Sequence, residues 1–182
     1  MDTNTIINRV VRVFRFDVPV YREIAADEGA TMQGWVVAVV ASLVAAIGLS
    51  RLGPMAVVLS AMFTVIGFGV YAALAAFVSK TFFGGKTDFD EMARTLGFAY
   101  AWNAVGILNL IPCAGGLVAF VGGIAAMIAG VIALRESAEF STGKALITVL
   151  VAGIGMILIN TVVLGAVATA LGVTMAVAGG GQ

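Results

Sequence analysis

Residues 95–134 read TLGFAYAWNAVGILNLIPCAGGLVAFVGGIAAMIAGVIAL and contain no Asp, Glu, Lys or Arg. A helix crosses the hydrocarbon core of a bilayer with about 20 apolar residues, so this stretch is long enough for two crossings. Its middle, residues 112–116, reads Pro-Cys-Ala-Gly-Gly, which does not easily continue a helix. The stretch therefore predicts two helices, at 95–111 and 117–134, joined by a tight turn.

Three other parts of the chain also lack charged residues. These runs are 29–50, 52–79 and 145–182. They predict further spans at 31–50, 55–79 and 145–171. The sequence thus indicates an all-α polytopic integral membrane protein: a cytoplasmic interfacial segment over 1–28, followed by a five-span domain over 29–182. Because 95–111 and 117–134 are both short for a crossing, a thin, tilted or re-entrant hairpin remains open.

Composition supports a membrane protein and excludes several classes of site. Apolar residues make up 61% of the chain and charged residues 11%, whereas soluble domains have about 45–50% and about 25%. The chain has no His, one Cys and zero net charge. These counts exclude a disulfide within the chain, a His-based zinc site and a Ser-His-Asp triad, and they favour no nucleic-acid partner. The sequence predicts no cofactor, no metal site and no catalytic residue.

Basic residues predict the orientation, because cytoplasmic loops of membrane proteins are enriched in Lys and Arg. Arg51 is the only basic residue on one side of the predicted spans. The other side carries nine: Arg9, Arg12, Arg15, Arg22, Lys80, Lys86, Arg94, Arg135 and Lys144. We expect a cell (inner) membrane protein with a cytoplasmic N-terminus and the C-terminus outside.

The N-terminal segment has the pattern of an amphipathic helix at a membrane surface. Its apolar face combines six residues: Ile6, Ile7, Val10, Val11, Val13 and Phe14. Arg9, Arg12 and Arg15 lie on the opposite face, which predicts contact with anionic lipid headgroups. Asp17 is placed to begin a second short helix, with Pro19 in its first turn.

Polar and small residues within the spans suggest two further features. Asn103, Asn109 and Pro112 lie on the segment expected to be least regular, which makes them the candidate intramembrane polar site. Bonding between helices is the alternative role for such groups. A second candidate feature is a packing face on the fourth span, for close contact within the bundle or between protomers. It consists of Gly122, Ala126 and Gly130.

Four stretches share their order and spacing with a known family. They are Asp17-x-x-x-Tyr21-x-Glu23-Ile24-x-x-Asp27 with Ala30-Thr31-x-Gln33; Glu91-x-x-Arg94-x-Leu96-Gly97-Phe98-Ala99; Ile111-Pro112-x-x-Gly115-Gly116; and Ala133-Leu134-Arg135-Glu136 before Ser141-Thr142-Gly143-x-Ala145. Over nearly its whole length the chain resembles the Yip family of five-span membrane proteins, specifically the prokaryotic branch.

The resemblance implies five spans and a cytoplasmic N-terminus. The eukaryotic relatives are associated with Rab GTPases and early secretory traffic. This chain lacks their long soluble N-terminal region and its Asp-Leu-Tyr-Gly-Pro signature, so the resemblance does not transfer a Rab-linked role.

Three classes of function follow from these patterns. The leading hypothesis is a non-enzymatic scaffold or adaptor, with a protein partner or a homo-oligomer in the membrane, because the polar sequence gathers on one side. The alternative is a small channel, transporter or lipid-handling protein that uses the Pro-broken 95–134 hairpin. An enzyme is the third hypothesis, since eight acids lie at the cytoplasmic boundary, but helix caps and ion pairs explain them better. The acids are Asp17, Glu23, Asp27, Asp88, Asp90, Glu91, Glu136 and Glu139.

Overall fold

The regular structure of this protein is helical throughout residues 2–170, the part that the computed structural model describes. The helices are α1 (Thr3–Phe14), α2 (Val18–Ala26), α3 (Ala30–Ile47), α4 (Pro54–Phe83), α5 (Phe89–Ala99), α6 (Gly115–Ser137) and α7 (Thr142–Ala170). Two 3₁₀ helices, Ser50–Leu52 and Tyr100–Leu110, complete the order. The all-α prediction is confirmed for these residues.

Four of the described helices are long and apolar enough to cross a membrane. They are Ala30–Ile47, Pro54–Phe83, Gly115–Ser137 and Thr142–Val163. The predicted spans at 31–50, 55–79 and 117–134 lie on the first three of these helices, within a few residues at each end. The predicted 145–171 span lies on α7, and its last residue is outside the described residues.

The predicted span at 95–111 is not one α-helix. It begins within α5 and continues, from Tyr100 to Leu110, as a 3₁₀ helix. A 3₁₀ helix rises about 2.0 Å per residue, against about 1.5 Å in an α-helix. Residues 95–110 therefore extend over about 30 Å, which matches the hydrocarbon core of a bilayer. Hydropathy shows only that these residues are apolar, so the sequence did not reveal the tighter winding.

Glycines bring α3 into backbone contact with this segment at two points. A Cβ placed on Gly97 would lie 2.5 Å from the carbonyl oxygen of Gly34, and one on Gly34 would lie 2.8 Å from Arg94 Cα. A Cβ on Gly48 would collide with the carbonyl oxygen of Gly106. Small residues allow such close approach between helices. The two segments thus run side by side, in the same direction, along the length of α3.

Helices α1 and α2 form an N-terminal layer (residues 3–26) against one end of the bundle. Val13, Val20, Tyr21 and Ile24 are fully buried there, and α2 packs on α5 and α6. We call this the near end. The other, far end carries Arg51, whose guanidinium donates to the carbonyl oxygen of Leu110.

Asp88 caps the start of α5. Asp88 is the residue before the helix, and its Oδ1 accepts a hydrogen bond of 2.7 Å from the backbone N–H of Glu91. Asp88→Ala is expected to lower the stability of the folded protein by about 1 kcal/mol, since an orphan N–H loses its acceptor. Asp90→Ala, on the same turn, is the matched control because Asp90 is exposed and is not the capping residue. Thermal unfolding in detergent compares the two, and equal midpoints would contradict the capping role.

Candidate functional site

The most organised polar cluster is centred on Arg9, in the N-terminal layer. Its side chain is only 7% exposed. Arg9 donates from Nε to Glu23 Oε1 at 3.1 Å and from Nη2 to Asp27 Oδ2 at 2.7 Å. Its Nη1 donates to Gln33 Oε1 at 3.0 Å. Because Gln33 lies on α3, this single guanidinium ties α1 to α2 and to the membrane-spanning bundle.

Arg12 extends the cluster one turn further along α1. Its Nε donates to Asp17 Oδ2 at 2.6 Å and its Nη1 to Glu23 Oε2 at 2.7 Å. The hydrogen bond to Asp17, followed by the one to Glu23, raises the pKa of Arg12. The hydrogen bond from Arg12 is the largest influence on Glu23, and it holds the pKa of that carboxyl below its ordinary value of 4.5 against the opposing effect of burial.

Glu23 gives the N-terminal layer a predicted dependence on pH. A carboxyl whose pKa is depressed in the folded state stabilises that state above the pKa of the unfolded chain and ceases to do so as pH falls through the lower, folded value. We therefore expect the layer to loosen as pH falls below about 4.5, the ordinary pKa of this carboxyl. Hydrogen exchange of α1 and α2 measures the change. Glu23→Gln is the control, and an equally steep response in that variant would contradict the role of Glu23.

A second arginine, Arg94 on α5, joins the layer to the bundle. It is 9% exposed. Its Nε and Nη2 both donate to the carbonyl oxygen of Ala25, at 3.0 and 2.6 Å, and its Nη1 lies 3.4 Å from Thr31 Oγ1. Arg94 therefore fixes the end of α2 to α5.

Aromatic side chains complete the attachment of the layer. The Trp102 ring, on the Tyr100–Leu110 helix, lies edge-on to Phe14 at 4.8 Å and stacks on Phe16 at 5.1 Å between ring centroids. Phe16 has a φ of 53°, a left-handed conformation that costs about 1–2 kcal/mol for a residue with a Cβ. Stacking on Trp102 helps to hold this turn between α1 and α2.

A cavity of about 860 Å³ lies inside the bundle, between α4, α6, α7 and the segment formed by α5 and the following 3₁₀ helix. Most of its wall is apolar. Its polar lining consists of Ser60, Thr64, Tyr71, Tyr100, Asn103 and Asn160. Asn103 donates to the carbonyl oxygen of Tyr100 at 3.3 Å. Residues from four separate segments therefore converge on one uncharged, partly polar space.

Comparison with known protein families finds a match over most of this chain. Residues 12–164 match the Yip1 domain. The chain belongs to the Yip1 domain family. No curated protein and no solved structure matches it. Proteins of this family are generally non-enzymatic membrane proteins of trafficking.

The Yip1 match covers only part of the Arg9 cluster. Arg9 lies before the matched residues, whereas its partners Glu23, Asp27 and Gln33 lie within them. Arg94 and its acceptor Ala25 also lie within the match. The Yip1 domain therefore includes the surface that receives α1, and α1 supplies the central guanidinium.

The structure does not show the outward-facing basic surface that the sequence predicted for α1. Arg9 and Arg12 bond to carboxylates of the protein, because the acids at 17, 23 and 27 lie directly beside them. Arg15 is exposed, next to the exposed Val11. Contact of Arg9, Arg12 and Arg15 with lipid headgroups stays a prediction, and Arg15 is the one of the three left available for it.

The predicted intramembrane site is brought together only in part. Asn103 lines the cavity, but Asn109 and Pro112 do not lie on its wall. Asn109 packs beside Gly115 where the hairpin closes, and Pro112 is exposed at the hairpin tip. Asn109 lies six residues further along the 3₁₀ helix than Asn103, which is about 12 Å towards the hairpin tip. The structure instead places Asn160, from α7, on the same cavity as Asn103.

The three residues of the predicted packing face on α6 lie in two different surroundings. A Cβ on Gly122 would lie 2.7 Å from Val105 Cγ1, so this glycine packs within the bundle. Ala126 and Gly130 line the cavity instead. Within residues 2–170, no three His, Cys, Asp or Glu side chains come together in a way that could hold a metal ion.

Sequence reasoning missed Gln33, Arg94 and Asn160 as members of these sites. For Arg94, a charge within one residue of a long apolar run was a usable signal, since charges at that depth are costly unless bonded. Asn160 lies in the predicted last span, but nothing in the sequence pairs it with Asn103. The pairing depends on how α7 packs.

Proposed function

We propose that this Yip1-domain protein is a non-enzymatic membrane scaffold or adaptor that associates with other membrane proteins or with proteins at its near-end surface. One observation carries the proposal: the N-terminal layer is fixed to the bundle by Arg9 and Arg94, so the polar sequence forms a rigid surface. A rigid surface loses less conformational entropy on binding than a mobile segment does.

The charged groups of the near end form a continuous surface beyond the Arg9 cluster. Glu136, at the end of α6, accepts from Arg22 at 2.7 Å and also pairs with Arg135 at 2.8 Å. Lys86 lies 3.5 Å from Glu139. The Glu136 side chain is only 7% exposed, whereas Arg22, Lys86 and Glu139 are exposed. Exposed charges contribute little to stability, which leaves these three available for recognition of a protein partner.

We propose that the chain crosses the membrane five times, with the near end in the cytoplasm and the C-terminus outside a cell (inner) membrane. The length of residues 95–110, about 30 Å, supports the fifth crossing. The nine basic residues on one side support the orientation. We also propose that the chain belongs to the prokaryotic branch of its family, on the four sequence stretches that carry the family resemblance.

Affinity capture from membranes in mild detergent tests the scaffold proposal. The wild-type protein and its Arg15→Met variant are expected to retain the same partner, or the same homo-oligomer, as measured by mass spectrometry of the captured material. Arg9→Met is expected to weaken that association, because it loosens the layer. A monomer with no partner, from wild-type protein captured in a mild detergent, would contradict the proposal.

The cavity favours a second candidate, a small channel, transporter or lipid-handling protein. Its uncharged lining, including Asn103, suits passive movement of a polar or amphipathic molecule rather than proton coupling. Flux and lipid-scrambling assays in liposomes test this candidate. Rates equal to those of protein-free liposomes, over several substrates, would exclude it.

A further inference from the structure

The 860 Å³ cavity exists because facing helices present glycine where they meet. Gly130 on α6 and Gly153 on α7 both line it, and a Cβ on either would contact nothing within 4 Å. Protein interiors rarely leave a space larger than one water molecule unfilled. A space of this size, within the range of small-molecule sites, calls for another molecule.

The lining restricts the chemistry of that molecule. Among the described residues that line the cavity, none is Asp, Glu, Lys or Arg. An ion or a charged metabolite buried there would lack a compensating charge, which is costly. Clustered water is also disfavoured, since each buried water needs two to four polar partners and most of the wall is apolar. The occupant is therefore largely hydrocarbon.

The cavity also opens towards the lipid. Met127, Ile154 and Ile157 line it and are themselves exposed. In a membrane-spanning bundle, exposed apolar side chains face the acyl chains of the bilayer. A lipid can thus enter sideways, without crossing a headgroup region.

Of the six polar side chains that line the cavity, Tyr71 and Tyr100 lie towards the near end, whereas Ser60 and Asn160 lie closer to the far end. Ser60 follows the start of α4 by six residues, about 9 Å from the far end. Asn160 follows the start of α7 by eighteen residues, about 27 Å from the near end. Both therefore lie towards the far end. The Asn160 carboxamide, moreover, has no hydrogen bond to a residue within the described chain, so its N–H groups can donate to a ligand.

We propose that the cavity holds one glycerophospholipid from the far-end leaflet, with its ester oxygens at Asn160 and Ser60 and one acyl chain extending past Phe63 and Met127 towards Leu96. Ester oxygens are acceptors and match the donors of an amide and a hydroxyl. The inference is independent of the scaffold proposal, because a resident lipid requires no protein partner.

Native mass spectrometry of protein reconstituted in vesicles of phosphatidylethanolamine and phosphatidylglycerol, then released in mild detergent, tests this proposal. The wild-type chain is expected to keep one phospholipid. Gly130→Leu and Gly153→Leu each fill the space and are expected to lower the bound fraction about tenfold. Gly165→Leu is the control, because Gly165 is exposed and does not line the cavity.

A second comparison tests the polar contact. Asn160→Leu is expected to lower the bound fraction about fivefold, which is the usual effect of losing one hydrogen bond. Its control is Thr161→Leu, on the exposed face of the same helix. Wild-type protein that emerges with no lipid, or equal lipid retention in Gly153→Leu and Gly165→Leu, would overturn the proposal.

Cross-linking in the wild-type protein needs no substitution and covers the case in which the variants fail to fold. A phosphatidylcholine with a photoreactive acyl chain, in vesicles, is expected to label Phe63 and Met156 in the cavity more strongly than the exposed Leu158 and Val162. Labelling that only follows surface exposure would overturn the proposal.

Discussion

Gly97→Ala is expected to separate α3 from α5 and to lower the melting temperature of the protein, although it adds only one methyl group. The new Cβ would lie 2.5–2.8 Å from backbone atoms of Gly34. Because backbone atoms cannot rotate away as a side chain can, one of the two helices must shift. Overpacking usually costs about 1–3 kcal/mol, and a collision with backbone belongs at the upper end of that range.

Gly123→Ala is the matched control for this substitution. Gly123 is also a helical glycine, on α6, but a Cβ there contacts nothing within 4 Å. Alanine in place of glycine stabilises a helix by about 1 kcal/mol, so this variant is expected to equal or exceed the wild type. Thermal unfolding followed by size-exclusion chromatography in detergent measures both variants. Equal midpoints would show that α3 and α5 do not approach as closely as the structure has them.

Arg9→Met is expected to release the N-terminal layer while leaving the spanning helices folded. Methionine keeps much of the side-chain volume but removes the bonds to Glu23, Asp27 and Gln33. Bonds to charged groups contribute about 1.5–3 kcal/mol each when buried. Since both carboxylates are part-exposed and regain water, we expect a total near 2 kcal/mol, or about a thirtyfold rise in opening.

Hydrogen exchange of the α1 amides measures that opening directly. Arg15→Met is the control, because Arg15 lies at the end of the same helix and is exposed. Protection of α1 should fall in Arg9→Met and remain in Arg15→Met. If the two variants exchange alike, Arg9 does not anchor the layer.

The sequence predicted the apolar helices well and their winding poorly. A run without charged residues can be recognised directly in the sequence. The predicted spans therefore agree with α3, α4, α6 and α7 to within a few residues at each end. The change to a 3₁₀ helix at Tyr100 was not visible, because it depends on how closely α3 approaches at Gly48 and Gly106.

The N-terminal segment shows a second reason why a prediction from the sequence was wrong. The helical periodicity of α1 predicted Arg9 on an outward basic face, whereas the structure buries Arg9 with Val13 and leaves Ile7 and Val11 exposed. The periodicity could not show that the turn at Phe16 folds α2 back, so that Glu23 and Asp27 meet the arginines instead of leaving them to lipid. That turn depends on the stacking of Phe16 on Trp102, which lies 86 residues later in the sequence.

The proposed fifth crossing by residues 95–110 would place the hairpin tip on the side of the membrane opposite the N-terminus. Cys113 is the one cysteine of the chain and is exposed at that tip, so a membrane-impermeant maleimide tests the crossing on the natural sequence. We expect labelling of Cys113 from outside intact cells, whereas Thr3→Cys in a Cys113→Ser background is expected to react only after permeabilisation. Labelling of Cys113 only after the membrane is opened or dissolved, or of both positions from the same side, would contradict it.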